Sequence, residues 1–98
     1  MAKAYWITTY RSISNQDRLA DYAKLALPAL SAMGGRFVVR GMPAATKEAG
    51  LMQRTVVIEF PSLQAAQDAY NSPGYKAALD ALGPNSAERD IRIVEGME

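Results

Sequence analysis

The chain has 98 residues, 49% of them hydrophobic and 21% charged, which suits a single domain over residues 1–98 and is too apolar for a disordered segment. Eleven basic residues against ten acidic ones leave a net charge of +1 with no run of like charges, which argues against a nucleic-acid partner. The absence of cysteine and histidine excludes thiolate catalysis, disulfides, Cys-based zinc or iron–sulfur sites and histidine-ligated haem, so no metal and no cofactor is expected.

Ala4 to Tyr10 is rich in aromatic and β-branched residues and reads as the first strand. From Gln16 to Met33 the apolar residues Leu19, Tyr22, Ala23, Ala26, Leu30 and Met33 recur at three- and four-residue steps, which predicts a helix. Ser14 or Asn15 is available as its N-cap and Gly34-Gly35 as its stop, while Pro28 inside it predicts a kink or a break. Arg36 to Arg40 is a short second strand. The Gly- and Pro-punctuated stretch Gly41 to Gly50 then connects it to a third, Gln53 to Phe60, as a long-looped hairpin. Pro61 cannot extend that strand's ladder and Ser62 can cap the helix that follows, Leu63 to Tyr70. Ser72 to Gly83 adds a turn and a further helical piece, and Asp90 to Glu95 alternates as a last strand.

Right-handed crossovers in this order place the first and third strands at the centre of a four-stranded antiparallel sheet. The predicted fold class is therefore α+β, a ferredoxin-like βαββαβ unit with its helices on one face. In the third strand Val56, Ile58 and Phe60 should face the helices and Glu59 the open face. Phe37, Val39, Ile91 and Ile93 should likewise point inward, leaving Arg36, Val38, Arg40, Arg92 and Val94 outward. For the first strand the expected phase is Ile7 inward, with Trp6 and Tyr10 on the open face.

An open face carrying Trp6, Tyr10, Val38, Val57 and Val94 around Glu59, Arg40 and Arg92 is a surface to be covered, because large apolar patches mark interfaces or ligand grooves. It predicts either a homodimer packed sheet to sheet, with the charges as ion pairs, or a small-molecule pocket. Tyr22, Tyr70 and Tyr75 fall on or beside apolar helix faces and read as core tyrosines with rim hydroxyls. No glycine-rich phosphate loop is present. The third strand also lacks the stacking aromatics of an RNA-recognition motif, since Thr55 and Val57 occupy those positions. No signal peptide is expected before Arg11. The longest uncharged run, Leu25 to Gly35, is well short of the ~20 residues of a membrane span, so a cytoplasmic protein without a membrane partner is expected.

Taken together, AYWI (Ala4 to Ile7), the Tyr22 to Pro28 spacing, GGRFVVRG (Gly34 to Gly41), RTVVIEFPS (Arg54 to Ser62), AYNSPGY (Ala69 to Tyr75) and IVEG (Ile93 to Gly96) resemble the bacterial domain-of-unknown-function family 1330. Gly83 to Asp90 (GPNSAERD) departs from that family's more basic, alanine-rich stretch. The resemblance implies a dimeric α/β barrel, in which two ferredoxin-like sheets share one barrel. It also implies kinship with small monooxygenases that use no metal or cofactor, muconolactone-type isomerases, haem-binding enzymes and effector-binding domains. Two functions remain open. One is a cofactor-free enzyme, monooxygenase- or isomerase-like, with Glu59 as candidate base, Arg40 holding an anionic oxygen, Trp6 and Tyr10 walling the pocket and Tyr75 near the sheet edge. The other is a non-catalytic dimeric ligand-binding or stress-associated module in which the same residues serve structure.

Overall fold

In the computed structural model, which describes residues 2–97, the chain runs through β1 (Ala4–Ile13), α1 (Gln16–Ala32), β2 (Arg36–Gly41), β3 (Thr55–Phe60), α2 (Leu63–Tyr70), α3 (Pro73–Leu82) and β4 (Ala87–Glu95). The strands form one antiparallel sheet in the order β2-β3-β1-β4, the ferredoxin-like arrangement. Trp6, Ile58 and Phe60 from the sheet pack with Leu30 of α1 and Tyr75 of α3 in one buried cluster, which sets the helices on one side and leaves the other side open.

The helix ends follow from local chemistry. Asn15, rather than Ser14, caps α1, its side-chain oxygen accepting from the Arg18 N–H at 3.0 Å, while the Ser14 hydroxyl donates to the Asn85 carbonyl at 2.6 Å. The helix runs through Pro28 to Ala32 without a break. Pro28 and Lys24 are both exposed, so the carbonyl that loses its intrahelical donor sits on the solvent side. The chain then turns at Gly34, whose φ is +95°, and passes close over the core at Gly35. A Cβ there would stand 2.8 Å from the Leu30 carbonyl oxygen and 2.9 Å from the Phe60 ring. Ser62 and Ser72 cap α2 and α3, with Pro73 in the first turn of α3.

The phase of β1 and one register shift in β2 decide which side chains face the helices. The expected inward set of β3 holds, with Val56, Ile58 and Phe60 buried. In β1, however, Trp6, Thr8 and Tyr10 point inward, at 1%, 4% and 3% exposure, and Tyr5, Ile7 and Thr9 lie on the open face opposite Glu59, Val57 and Thr55. This reverses the expected phase. Two aromatic rings remove far more apolar surface from water than one isoleucine, and the indole N–H is satisfied on the spot by Thr8 Oγ1 at 2.8 Å. In β2 the pairing shifts between Phe37 and Val39, which inserts one extra residue against β3. Beyond that bulge the faces exchange. Val39 is opposite Val57 on the open face and Arg40 is opposite Val56 on the helix side, the converse of strict alternation.

A second irregularity, between Tyr10 and Ser12, lets β1 continue to Ile13 against a β4 that begins at Ala87, three residues before the predicted start at Asp90. Arg89 thereby becomes a strand residue opposite Tyr10, facing the helices.

Candidate functional site

The covered side of the sheet carries the site, and α3 is what builds it. The buried Ser72 hydroxyl donates to the Ala69 carbonyl at 2.7 Å and accepts from the Tyr75 N–H at 3.3 Å, which fixes the first turn. A Cβ on Gly74 would stand 3.1 Å from Ala29 Cβ, so α3 lies close on α1. Tyr75 is thus driven into the middle of the core, fully buried, rather than standing near a sheet edge. Its ring meets Trp6 edge-on at 5.0 Å and Tyr22 edge-on at 5.9 Å, and Trp6 stacks on Phe60 at 6.2 Å.

The polar ends of these rings converge. The Tyr22 and Tyr75 hydroxyls are 2.8 Å apart, and Arg89 Nη2 donates to the Tyr75 oxygen at 3.5 Å. The Arg89 guanidinium lies 4.7 Å from the Tyr22 ring centre and 5.8 Å from that of Tyr10. On the Tyr10 ring it is matched by Arg54, at 5.9 Å. Burial pushes the Tyr22 hydroxyl above its ordinary pKa of 10.0, and the nearby Arg89 charge does not undo this. Burial, then the neighbouring Tyr22, push the Tyr75 hydroxyl well above 10.0. Burial works to lower the Arg89 pKa, but Tyr22 and Tyr75 outweigh it and the guanidinium stays charged. The cluster is therefore two neutral hydroxyls beside a permanent cation.

Two guanidinium nitrogens here, Arg54 Nε and Arg89 Nη1, are buried without a hydrogen-bond partner. Buried donors are normally satisfied, and these two find no acceptor among the described residues. Among the described residues neither arginine, nor Arg40, lies within ion-pair distance of a carboxylate.

Between α1 and the sheet lies a cleft of ≈ 380 Å³ including its solvent-open mouth, of which ≈ 30 Å³ admits the centres of water molecules. Trp6, Tyr10 and Tyr22 form its aromatic wall, Ala26 and Leu30 its helical wall, and Arg40 and Arg54 line it as well. In this conformation it accepts water and little more, since one water needs roughly 10–15 Å³ of such space.

Of the five residues the sequence singled out, Trp6, Tyr10 and Arg40 meet at this cleft, and Tyr75 packs directly behind Trp6. Glu59 does not join them. It lies on the open face, where its carboxylate takes Lys3 at 3.5 Å, Arg36 at 3.7 Å and the Tyr5 hydroxyl at 3.3 Å, with the sheet between it and the cleft. The expected base is therefore on the wrong side of the sheet to meet a ligand in the cleft. Sequence reasoning missed Arg54 and Arg89 as site residues. The signal was present: Arg54 has the parity of Val56 and Ile58, and Arg89 that of Ile91 and Ile93. Among the described residues no three acidic side chains gather as a metal site would require, and no helix is long and apolar enough to cross a membrane.

A family model described as domain of unknown function (DUF1330) matches residues 3–97. No curated protein is matched by sequence. Among solved structures, a protein of unknown function from Rhodopseudomonas palustris is similar at 14% identity and a TM-score of 0.75, over 99% of this chain and 84% of that one. SnoaB, a cofactor-independent oxygenase from Streptomyces nogalater, is similar at 13% identity and a TM-score of 0.64, over 100% of this chain and 96% of that one. A dimeric ferredoxin-like protein of unknown function from Thermobifida fusca is similar at 20% identity and a TM-score of 0.54, over 96% of this chain and 91% of that one. At these identities the likeness is one of fold.

Proposed function

The chain belongs to the DUF1330 family, and from that footing we propose that it is a homodimeric protein of the bacterial cytoplasm that binds a small organic molecule in the cleft of each subunit and acts on it without a cofactor, as an oxygenase or isomerase. The observation that carries this reading is the pair of buried, unsatisfied guanidinium donors flanking Tyr10. Leaving a buried guanidinium nitrogen without an acceptor is costly, and such a cost is retained where a ligand repays it.

The chemistry follows from what is present. Arg89, with the neutral Tyr22 and Tyr75 hydroxyls beside it, lies behind the Tyr10 and Tyr22 rings that wall the cleft and is suited to stabilise a phenolate or enolate oxygen that reaches past them. The residues lining the cleft include no carboxylate, and the chain has no histidine, so the substrate must give its proton to water rather than to a side-chain base. In the oxygenase case the carbanion gives its electrons to dioxygen and forms a carbon-bound peroxide. This takes up a proton from water and, at a carbon that still bears a hydrogen, breaks its O–O bond to leave a carbonyl and release water. In the isomerase case the carbanion is reprotonated at another carbon. The dimeric neighbours and the half-exposed Val39 and Val94 on the open face support a partner sheet there.

The test is an oxygen-electrode and ultraviolet screen of phenols and enolisable ketones, run with Arg89→Gln as comparison and with light scattering. Turnover that falls at least tenfold in Arg89→Gln is expected from a dimer. Turnover untouched by Arg89→Gln removes the proposed role, and a monomer removes the assembly. The want of a carboxylate among the residues lining the cleft favours a second reading, a non-catalytic ligand-binding dimer. It predicts ligand-dependent stabilisation with no product.

A further inference from the structure

Arg40 and Arg54 form a cationic station in the cleft, and it has no role in the chemistry above. Arg40 of β2 and Arg54, at the entry to β3, line the cleft, whereas Arg89 lies behind Tyr10 beside the tyrosine hydroxyls. Arg40 is paired in register with Val56, so Arg54 is its diagonal neighbour on the same face, roughly 7–8 Å away by strand geometry. Like charges so placed repel. Elsewhere on the sheet Arg11, Arg36 and Arg92 each reach a carboxylate, but these two do not.

The geometry points to a small aromatic carboxylate as the ligand, its carboxylate held by Arg40 and Arg54 and its ring lying against Tyr10 and Trp6; this rests on the cleft reading above. A guanidinium fork matches a planar carboxylate in shape as well as charge, and Arg54 Nε is a buried donor still lacking an acceptor. The wall beyond is aromatic and aliphatic, Trp6, Tyr10, Tyr22, Ala26 and Leu30, which suits a flat apolar body and no second charge. Ring entry needs the cleft to widen past its water-sized interior. The exposed side chains of Arg40 and Leu27 at the cleft are free to change rotamer for that purpose.

The experiment is a calorimetric and thermal-shift titration of the full chain with benzoate, benzamide and inorganic phosphate at fixed ionic strength, repeated on Arg54→Gln, Arg40→Gln and the exposed control Lys76→Gln. Benzoate is expected to raise the melting temperature with concentration and to bind at least tenfold more tightly than benzamide. Each cleft variant should reduce that preference several-fold, and Lys76→Gln should retain it. Arg40 is exposed, so Arg40→Gln keeps the test decisive if Arg54→Gln fails to fold. Equal binding of benzoate and benzamide overturns the carboxylate while leaving the cleft reading intact. A phosphate shift as large as that of benzoate also overturns it, as a generic anion site. A preference unchanged in Arg40→Gln overturns the assignment to this station. If none of the three compounds binds, the cleft reading falls with it.

Discussion

On the open face of the sheet, Lys3 and Arg36 close on Glu59 at 3.5 and 3.7 Å and Arg92 closes on Asp90 at 3.1 Å; on the covered face, Arg40, Arg54 and Arg89 meet no carboxylate among the described residues. The same strands supply both sets, so composition does not explain the difference. Charges on the open face are neutralised in place beside Ile7, Val57 and Val94, which suits a surface meant to be covered by another sheet. Charges on the covered face are left with two unmatched donors beside tyrosine rings and hydroxyls. The face that looks like a site from its charge pattern has its charges paired, and the face that looks like a core holds the arginines without carboxylate partners.

The strongest way to break this contrast is to truncate equivalent positions on the two sides. Trp6→Ala should cost about 3–5 kcal/mol, since the indole packs on Phe60, Tyr70 and Tyr75, whereas Ile7→Ala should cost clearly less at protein concentrations low enough to hold the monomer. Denaturant midpoints measure both, and equal losses would mean that the open face is no less a core than the covered one.

A smaller effect separates the faces by pH. Tyr22 and Tyr75 on the covered face have pKa values raised in the folded state above the ordinary 10.0, so their contribution to stability is complete below pH 10 and is lost as pH rises through the folded values. Melting temperature should therefore decline above pH 10, and the decline should be shallower in Tyr75→Phe. That variant should also lose about 1 kcal/mol at neutral pH, through the missing Tyr22 contact. An unchanged alkaline slope in Tyr75→Phe would show that the cluster is not what titrates.

The smallest expected change concerns Glu59. Glu59→Gln leaves the cleft untouched, so binding and turnover should stay within twofold of the parent. Folding stability should fall by no more than about 1 kcal/mol, because Lys3 and Arg36 are both largely exposed partners. The readable consequence is a weaker dimer by sedimentation at low concentration. A large loss of turnover would instead return Glu59 to the chemistry.

Much of the fold was legible in the letters. Apolar residues at three- and four-residue steps marked α1, the Pro61-Ser62 pair marked the junction of β3 and α2, and the strand order followed from crossover handedness alone. The site was less legible, because it depends on which face each side chain takes. Trp6, Tyr10 and Arg40 were recognised as residues to watch and assigned to the wrong side. Arg89 was passed over because it lies in the stretch Gly83 to Asp90, which reads as loop and departs from the family pattern. For Arg40 the bulge in β2 interrupts the period-2 rule, whereas for Trp6 and Tyr10 the rule holds and the phase is set by ring burial.

By itself, then, the sequence determined the element order, the Ser62 cap of α2, the inward set of β3 and membership of a family, all of which depend on local propensity and spacing. The tertiary structure decided the phase of β1, the reversal after Phe37 in β2 and the meeting of Tyr22, Tyr75 and Arg89. These depend on comparing the burial of two competing sets of side chains and on one inserted residue opposite a partner strand. Neither quantity exists until the strands and helices are packed together.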